Sequence, residues 1–162
     1  MHIDIVARLA LDPQLVLNFF ACFSRFECAL KRSGFVKKNK EEATPDWDTY
    51  SNGLPGSFST EGDEAFLGAI AYLREFPPRR QIVEKGALGW KDTPKGDGEK
   101  EVAYVLRLVR VVRNNLFHGG KYRTGPVQDP ARNHRLLEAC MVVLERALTF
   151  SPDVARAFEE VL

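Results

Sequence analysis

The sequence is short of the residues that mark disulfide, zinc and membrane proteins. Its three cysteines, Cys22, Cys28 and Cys140, make neither a CxxC pair nor an even framework, and no histidine lies near them at zinc-ligand spacing. They read as reduced core thiols. Histidine is equally scarce, with three in the chain, so no metal site and no cofactor is expected. No apolar run approaches the ~18 residues that a membrane span requires. The opening MHIDIVARLALDPQ carries Asp4, Arg8 and Asp12 and lacks both a basic start and a small-residue cleavage site, which argues against a secretion signal. These absences predict a soluble, cytoplasmic protein with no membrane partner. An excess of charge is missing too. With 23 Lys and Arg against 22 Asp and Glu, the net charge is +1. Any attraction to nucleic acid must therefore come from a local patch.

What is present is an ordinary folding composition, 44% apolar and 28% charged. The length suits one hydrophobic core, so residues 1–162 read as a single domain. Asp12-Pro13 opens a helix whose apolar positions, Val16, Phe19, Phe20, Phe23, Phe26 and Leu30, recur at helical spacing until Gly34 stops it. From Val36 to Asp63 periodicity is lost, and the segment reads as a long loop pinned to the body by Trp47, Tyr50 and Phe58. GDEAFLGAIAYLREF is a shorter helix closed by Pro77-Pro78. A second irregular stretch follows to Gly98, in which QIVEKGALGW has room for a short strand or turn. Helical patterning resumes at Glu99 and runs to Gly119-Gly120. It returns in ARNHRLLEACMVVLERALTF and ends with DVARAFEEVL after Ser151-Pro152. Four or five helices with two long irregular loops predict an all-α helical bundle.

Two of these helices carry a charge on the apolar face. At about 100° per residue, Glu27 lies about 40° from Phe23 on the first helix, and Arg113 falls among Val102, Leu106, Val109 and Leu116 on the later one. Isolated charges do not stay buried, so Glu27 and Arg113 are expected to pair across the helix interface. Such a pair serves equally well as a structural salt bridge fixing helix register. The later helix ends in RNNLFHGG, and Asn114 and Asn115 are weak helix formers whose amides suit a phosphate or a base. On a regular helix His118 falls well away from Arg113. The glycine pair is expected to let the last turn relax and swing His118 toward the same groove.

RNNLFH resembles the R-x(4–6)-H motif of the HEPN superfamily, and FSRFECALKRSG resembles an early helix of that superfamily, in which an acidic residue faces the motif. The resemblance implies a HEPN-like α-helical domain, commonly a homodimer. Many such domains are metal-independent endoribonucleases of toxin–antitoxin, antiviral or RNA-processing systems. It further implies that Arg113 and His118 form the catalytic pair, with Asn114 a polar accessory and Glu27 the supporting carboxylate. Some toxin members carry a tyrosine two residues after the motif histidine, and here that position is Gly120.

The residue types suit the implied chemistry. The RNA 2′-hydroxyl can attack its own phosphate, so the protein need supply only proton transfer, for which histidine is suited near neutral pH, and charge stabilisation, for which a forked guanidinium is suited. Arg110, Asn115, Lys121 and Arg123, next to the motif, are the expected RNA contacts, with Arg107 nearby. Partners expected on this reading are RNA, a second copy of the chain and an antitoxin or other partner protein. The alternative is a non-catalytic module of the same fold that dimerises or binds a partner or nucleotide, with Arg113 structural.

Overall fold

Four helices of the computed structural model open on an aspartate whose carboxylate takes an orphan N–H of the first turn. Asp12 accepts from Gln14 at 3.0 Å, Asp46 from Thr49 at 3.1 Å, Asp63 from Phe66 at 2.8 Å and Asp129 from Arg132 at 3.1 Å. Each such cap is worth roughly 1 kcal/mol relative to alanine. The structure describes residues 11–38, 40–118 and 129–160. Asp4 and Arg8 of the opening segment, the Gly119-Gly120 pair, Lys121 and Arg123 lie outside the described residues.

The capped helices are α1 (Pro13–Arg32), α2 (Trp47–Gly53), α3 (Glu64–Glu75) and α5 (Pro130–Thr149), joined by α4 (Glu101–Phe117) and α6 (Pro152–Glu159). Among the described residues the fold is therefore mostly helical. Helix α1 stops where expected. Phe35 N–H bonds back to Leu30 O at 2.9 Å and Gly34 N–H to Lys31 O at 3.2 Å, with Gly34 at φ 87°. That conformation favours glycine, and the pair of bonds closes the helix.

Helix α5 is the hub of the bundle and packs against α1, α3, α4 and α6. Its inward residues Leu136, Leu137, Cys140, Val143, Leu144 and Ala147 are almost fully buried. Each large aliphatic among them contributes about 1.5–3 kcal/mol by leaving water. Many of the aromatics are core as well. Phe19, Phe23, Phe26, Trp47, Tyr50, Phe58 and Phe66 are all buried.

Two sequence expectations need correction. The segment from Val36 to Asp63 is not one loop. Asp46 caps α2, and a 3₁₀ turn follows at Gly56–Ser59. Trp47, Tyr50 and Phe58 do pin it to the body. Trp47 stacks on Phe26 with centroids 5.2 Å apart, Tyr50 donates its hydroxyl to Ala147 O at 3.1 Å, and Phe58 meets Phe66 edge-on at 5.4 Å. Helices this short leave no periodicity to read.

The fold is also not purely α. Strands β1 (Arg80–Glu84) and β2 (Ala87–Lys91) form an antiparallel hairpin in which Val83 faces Leu88 and Gln81 faces Trp90. Its two-residue turn is Lys85-Gly86, both at positive φ, 51° and 79°. Asn-Gly or Asp-Gly would have announced such a turn; Lys-Gly does not. Both faces of β1 carry an apolar residue, so alternation was absent as a signal.

Candidate functional site

Helix α4 carries two functional faces. Val102, Val105, Leu106, Val109 and Val112 point into the core and are buried. Arg107, Arg110, Asn114 and His118 follow one another by three or four residues, the spacing that aligns side chains along one helix face, and Val111 lies four after Arg107 and three before Asn114. Together with Asp48, Arg80, Gln81 and Asn115 they line a cleft of about 600 Å³. Its walls are α2, which supplies Asp48 and packs on α4, and the base of β1, which supplies Arg80 and Gln81.

The cations are held to different degrees. Arg107 is clamped by Glu99, Nε to Oε1 and Nη2 to Oε2, both at 2.8 Å, and donates a further bond to Pro94 O at 2.9 Å. The hydrogen-bonded guanidinium holds the Glu99 carboxyl below the usual range, and the same bonds raise Arg107. Arg110 donates to Asp48 Oδ1 at 3.3 Å, and Lys37 approaches the other Asp48 oxygen at 3.8 Å. Among the described residues Arg80 and His118 have no ion-pair partner. Three guanidiniums, three amides and an imidazole thus share the cleft with the Asp48 carboxylate, a set of groups able to hold an anion and to move a proton. Among the described residues no group of three or more His, Cys, Asp or Glu side chains is placed to hold a metal ion.

The residues expected from the sequence separate into three groups. His118, Asn114 and Arg110 line the cleft. Asn115 also borders it, but this residue is buried and its Nδ2 donates to Arg79 O at 2.7 Å. It anchors the hairpin to α4, so its Nδ2 is engaged within the protein. Lys121 and Arg123 fall outside the described residues.

Arg113 and Glu27 form the third group, and the expected pair between them is replaced by other contacts. Glu27 Oε1 accepts from Trp47 Nε1 at 3.0 Å. Arg113 lies half-buried over the Phe23 and Phe117 rings, 5.6 and 5.3 Å from their centroids, and donates from Nη1 to Asn114 Oδ1 at 3.1 Å. Aromatic faces and an amide oxygen satisfy this guanidinium, so it needs no carboxylate.

The predicted swing of His118 also does not occur. Its N–H bonds to Asn114 O at 2.9 Å, so the helix stays regular to its cap. A regular helix leaves His118 about 140° around from Arg113. Arg113 accordingly is not among the cleft residues.

Sequence reasoning left Asp48, Arg80 and Gln81 unassigned. Arg107 was recognised only as a neighbouring charge. The signal for Arg107 was the face shared at positions 107, 110, 114 and 118. No sequence signal brought Asp48 and Arg80 to it, because both come from elements that sequence patterning did not resolve. Compared with family models, with curated protein sequences and with solved structures, the chain matches none of them.

Proposed function

We propose that the chain is a HEPN-like, metal-independent endoribonuclease whose reaction takes place in the α4 cleft. The observation that carries the reading is the single line of Arg107, Arg110, Asn114 and His118 along α4, facing Arg80 across the cleft. In the proposed step the 2′-oxygen of the RNA attacks the adjacent phosphorus and the bond to the 5′-oxygen breaks. A 2′,3′-cyclic phosphate and a free 5′-hydroxyl result. One proton leaves the 2′-hydroxyl and another reaches the departing oxygen. His118 handles one of these transfers, and Arg110 and Arg80 offset the charge that gathers on the phosphate.

A second transfer in the same turnover calls for a second acid–base group, which a two-fold partner's own histidine supplies. The surface that suits such pairing is apolar. Leu17, Phe20 and Phe117 are 57%, 48% and 41% exposed, and the two phenylalanine rings sit 5.3 Å apart beside Arg113.

The roles differ from the resemblance at Glu27, which holds Trp47 and has no part in the site, and at Arg113. Arg113 acts as a positioning residue. By donating to Asn114 Oδ1 it turns the amide so that Nδ2 is free to donate into the cleft.

The reading is tested by incubating the purified chain with end-labelled single-stranded RNA in excess EDTA. Cyclic-phosphate products from wild type, and none from His118→Ala at equal folded concentration, are the expected result. Cleavage that vanishes with EDTA and returns with Mg²⁺ overturns the mechanism. The packing of Arg113 between Phe23 and Phe117 favours a second reading, a non-catalytic module with a structural arginine. RNA binding without cleavage under any condition would establish it.

A further inference from the structure

The β1–β2 hairpin has more exposed apolar surface than its size needs. Val83 and Leu88, paired across the strands, are 71% and 69% exposed. Because directly opposed residues share a face and alternate residues return to it, Gln81, Trp90, Val83 and Leu88 lie on one side of the hairpin. Gln81 also lines the cleft, so this face begins where the cleft ends. Trp90 is half-buried at the junction, and the outer apolar pair stands clear of the body.

Among the described residues the hydrogen bonds and ion pairs that hold the hairpin lie at its root. Arg79 pairs with Asp92 at 2.8 Å and donates to Trp90 O at 3.0 Å. Thr93 donates to Pro78 O at 2.7 Å, and Asn115 holds Arg79 O at 2.7 Å. A two-stranded hairpin is marginal alone, so this root clamp is what orders it.

Its charge narrows the choice of occupant. Residues 79–92 carry Arg79, Arg80, Lys85 and Lys91 against Glu84 and Asp92, and with Arg79 held by Asp92 the arm keeps Arg80, Lys85 and Lys91 against Glu84 alone, in a chain whose net charge is only +1. Two copies of such an arm repel one another, whereas a polyanion is drawn to it. Lys85 adds to this. It occupies the left-handed conformation at φ 51°, where glycine, asparagine or aspartate is ordinarily found, and so places a cation at the tip at some conformational cost.

We propose that the hairpin is a single-strand docking arm. RNA leaving the cleft lays its bases on the Trp90–Val83–Leu88 face while Arg80, at the cleft, and Lys85, at the tip, neutralise its phosphates. Base stacking on an indole with backbone neutralisation by flanking cations is how sequence-tolerant single-strand binders work. This inference rests on the nuclease reading of the cleft and adds to it a site that sets substrate length.

The test uses the full chain with His118→Ala, so that RNA stays intact, and compares a uridine dinucleotide with an oligouridine of about twelve nucleotides, within the range such surfaces cover. The chain has two tryptophans. Trp47 is buried in the core, so quenching of fluorescence by RNA reports Trp90. The longer RNA should quench Trp90 and bind at least about tenfold more tightly than the dinucleotide. Adding Trp90→Ala, or Val83→Ser with Leu88→Ser, should remove about tenfold from the longer RNA only, the scale of one lost stacking contact. Lys85→Asn suits the turn better and keeps the hairpin folded. It should weaken the longer RNA modestly and flatten its salt dependence. If every variant binds both RNAs as the parent does, the docking arm is wrong and the cleft reading stands. If the parent binds RNA of neither length, the cleft reading fails and takes the arm with it. If a polyglutamate peptide binds the arm as tightly as the oligouridine does, the surface serves acidic chains and the stacking argument is overturned.

Discussion

Trp47 Nε1 donates to Glu27 Oε1 across 3.0 Å, and the same indole lies nearly parallel to Phe26, with an interplanar angle of 5°. Glu27 thus serves to seat α2 on α1. Its half-buried position in an apolar stripe is explained by an indole N–H, with no cation required. Glu27→Ala should therefore cost about 1–3 kcal/mol, the range for stranding one buried donor, and Glu27→Gln, which keeps an acceptor, well under that. Urea unfolding followed by near-ultraviolet dichroism of Trp47 measures both. A loss beyond about 4 kcal/mol in Glu27→Ala would instead indicate an uncompensated buried charge.

Among the described residues Asp48 is the one carboxylate lining the cleft, and it holds Arg110 at 3.3 Å and Lys37 at 3.8 Å. It competes with phosphate for the same guanidinium and repels an incoming backbone. Asp48→Asn should tighten RNA binding several-fold at low salt, with the gain shrinking as salt rises. Stability should move by less than about 1 kcal/mol, because the carboxylate is well exposed. Arg110→Ala should weaken binding by tenfold or more. Fluorescence anisotropy across a salt series checks both, and equal affinity in Asp48→Asn and wild type at low salt would place the phosphates elsewhere.

How far the sequence reached this picture depended on the length of each signal. Helices α1, α3, α4, α5 and α6 were legible because their apolar repeats run for two turns or more and because Asp12-Pro13 and Ser151-Pro152 mark two of their starts. Helix α2 was not, since seven residues hold too little periodicity, and the hairpin was hidden by its Lys-Gly turn. The site divided along the same line. His118, Asn114 and Arg110 could be named because they sit on a legible helix. Asp48 and Arg80 could not, because the tertiary contacts that bring them there come from the two illegible elements. The pairing of Glu27 with Arg113 failed for a different reason. Helical wheels show which face a residue occupies but not which neighbour across the interface reaches it first, and aromatic rings reached both.

Burial pushes the Tyr50 phenol up to about 12, and a hydrogen bond involving Ser151 offsets only part of the shift. In the unfolded chain a tyrosine titrates near ~10. A raised folded value means that the unfolded state gives up its proton first, so this contribution to stability is complete below pH ~10 and is lost as pH rises toward about 12. The loss is on the order of 2–3 kcal/mol. Cys22, pushed up to about 11 chiefly by burial, and Cys140, raised by burial, add alkaline losses that begin at lower pH. Tyr50→Phe should therefore be somewhat less stable at pH 8, having lost the bond to Ala147, but should show a smaller further drop between pH 10 and 12. Denaturant midpoints at a series of pH values read this directly. An unchanged alkaline slope would mean that the phenol is not buried as described.

The bond from Arg113 Nη1 to Asn114 Oδ1, at 3.1 Å, decides what kind of residue Arg113 is. If it works only by orienting the Asn114 amide, then removing either partner removes the same benefit, and removing both costs little more. Arg113→Met keeps much of the contact with Phe23 and Phe117 and should lower stability by about 1 kcal/mol, the scale of the lost cation–π attraction. Arg113→Met and Asn114→Ala should each slow RNA cleavage by roughly tenfold, and the double variant should be no slower than the worse single, since groups acting as one unit are not additive. The opposite behaviour belongs to an arginine that touches the phosphate itself, as the family resemblance implies. The two losses would then multiply to roughly a hundredfold, because each group would stabilise the transition state through its own contact. Single-turnover cleavage rates for wild type, the two singles and the double, at saturating enzyme, separate the cases. A multiplied loss would return Arg113 to the catalytic groups and require the partner copy, or a movement of α4, to bring its guanidinium to the cleft.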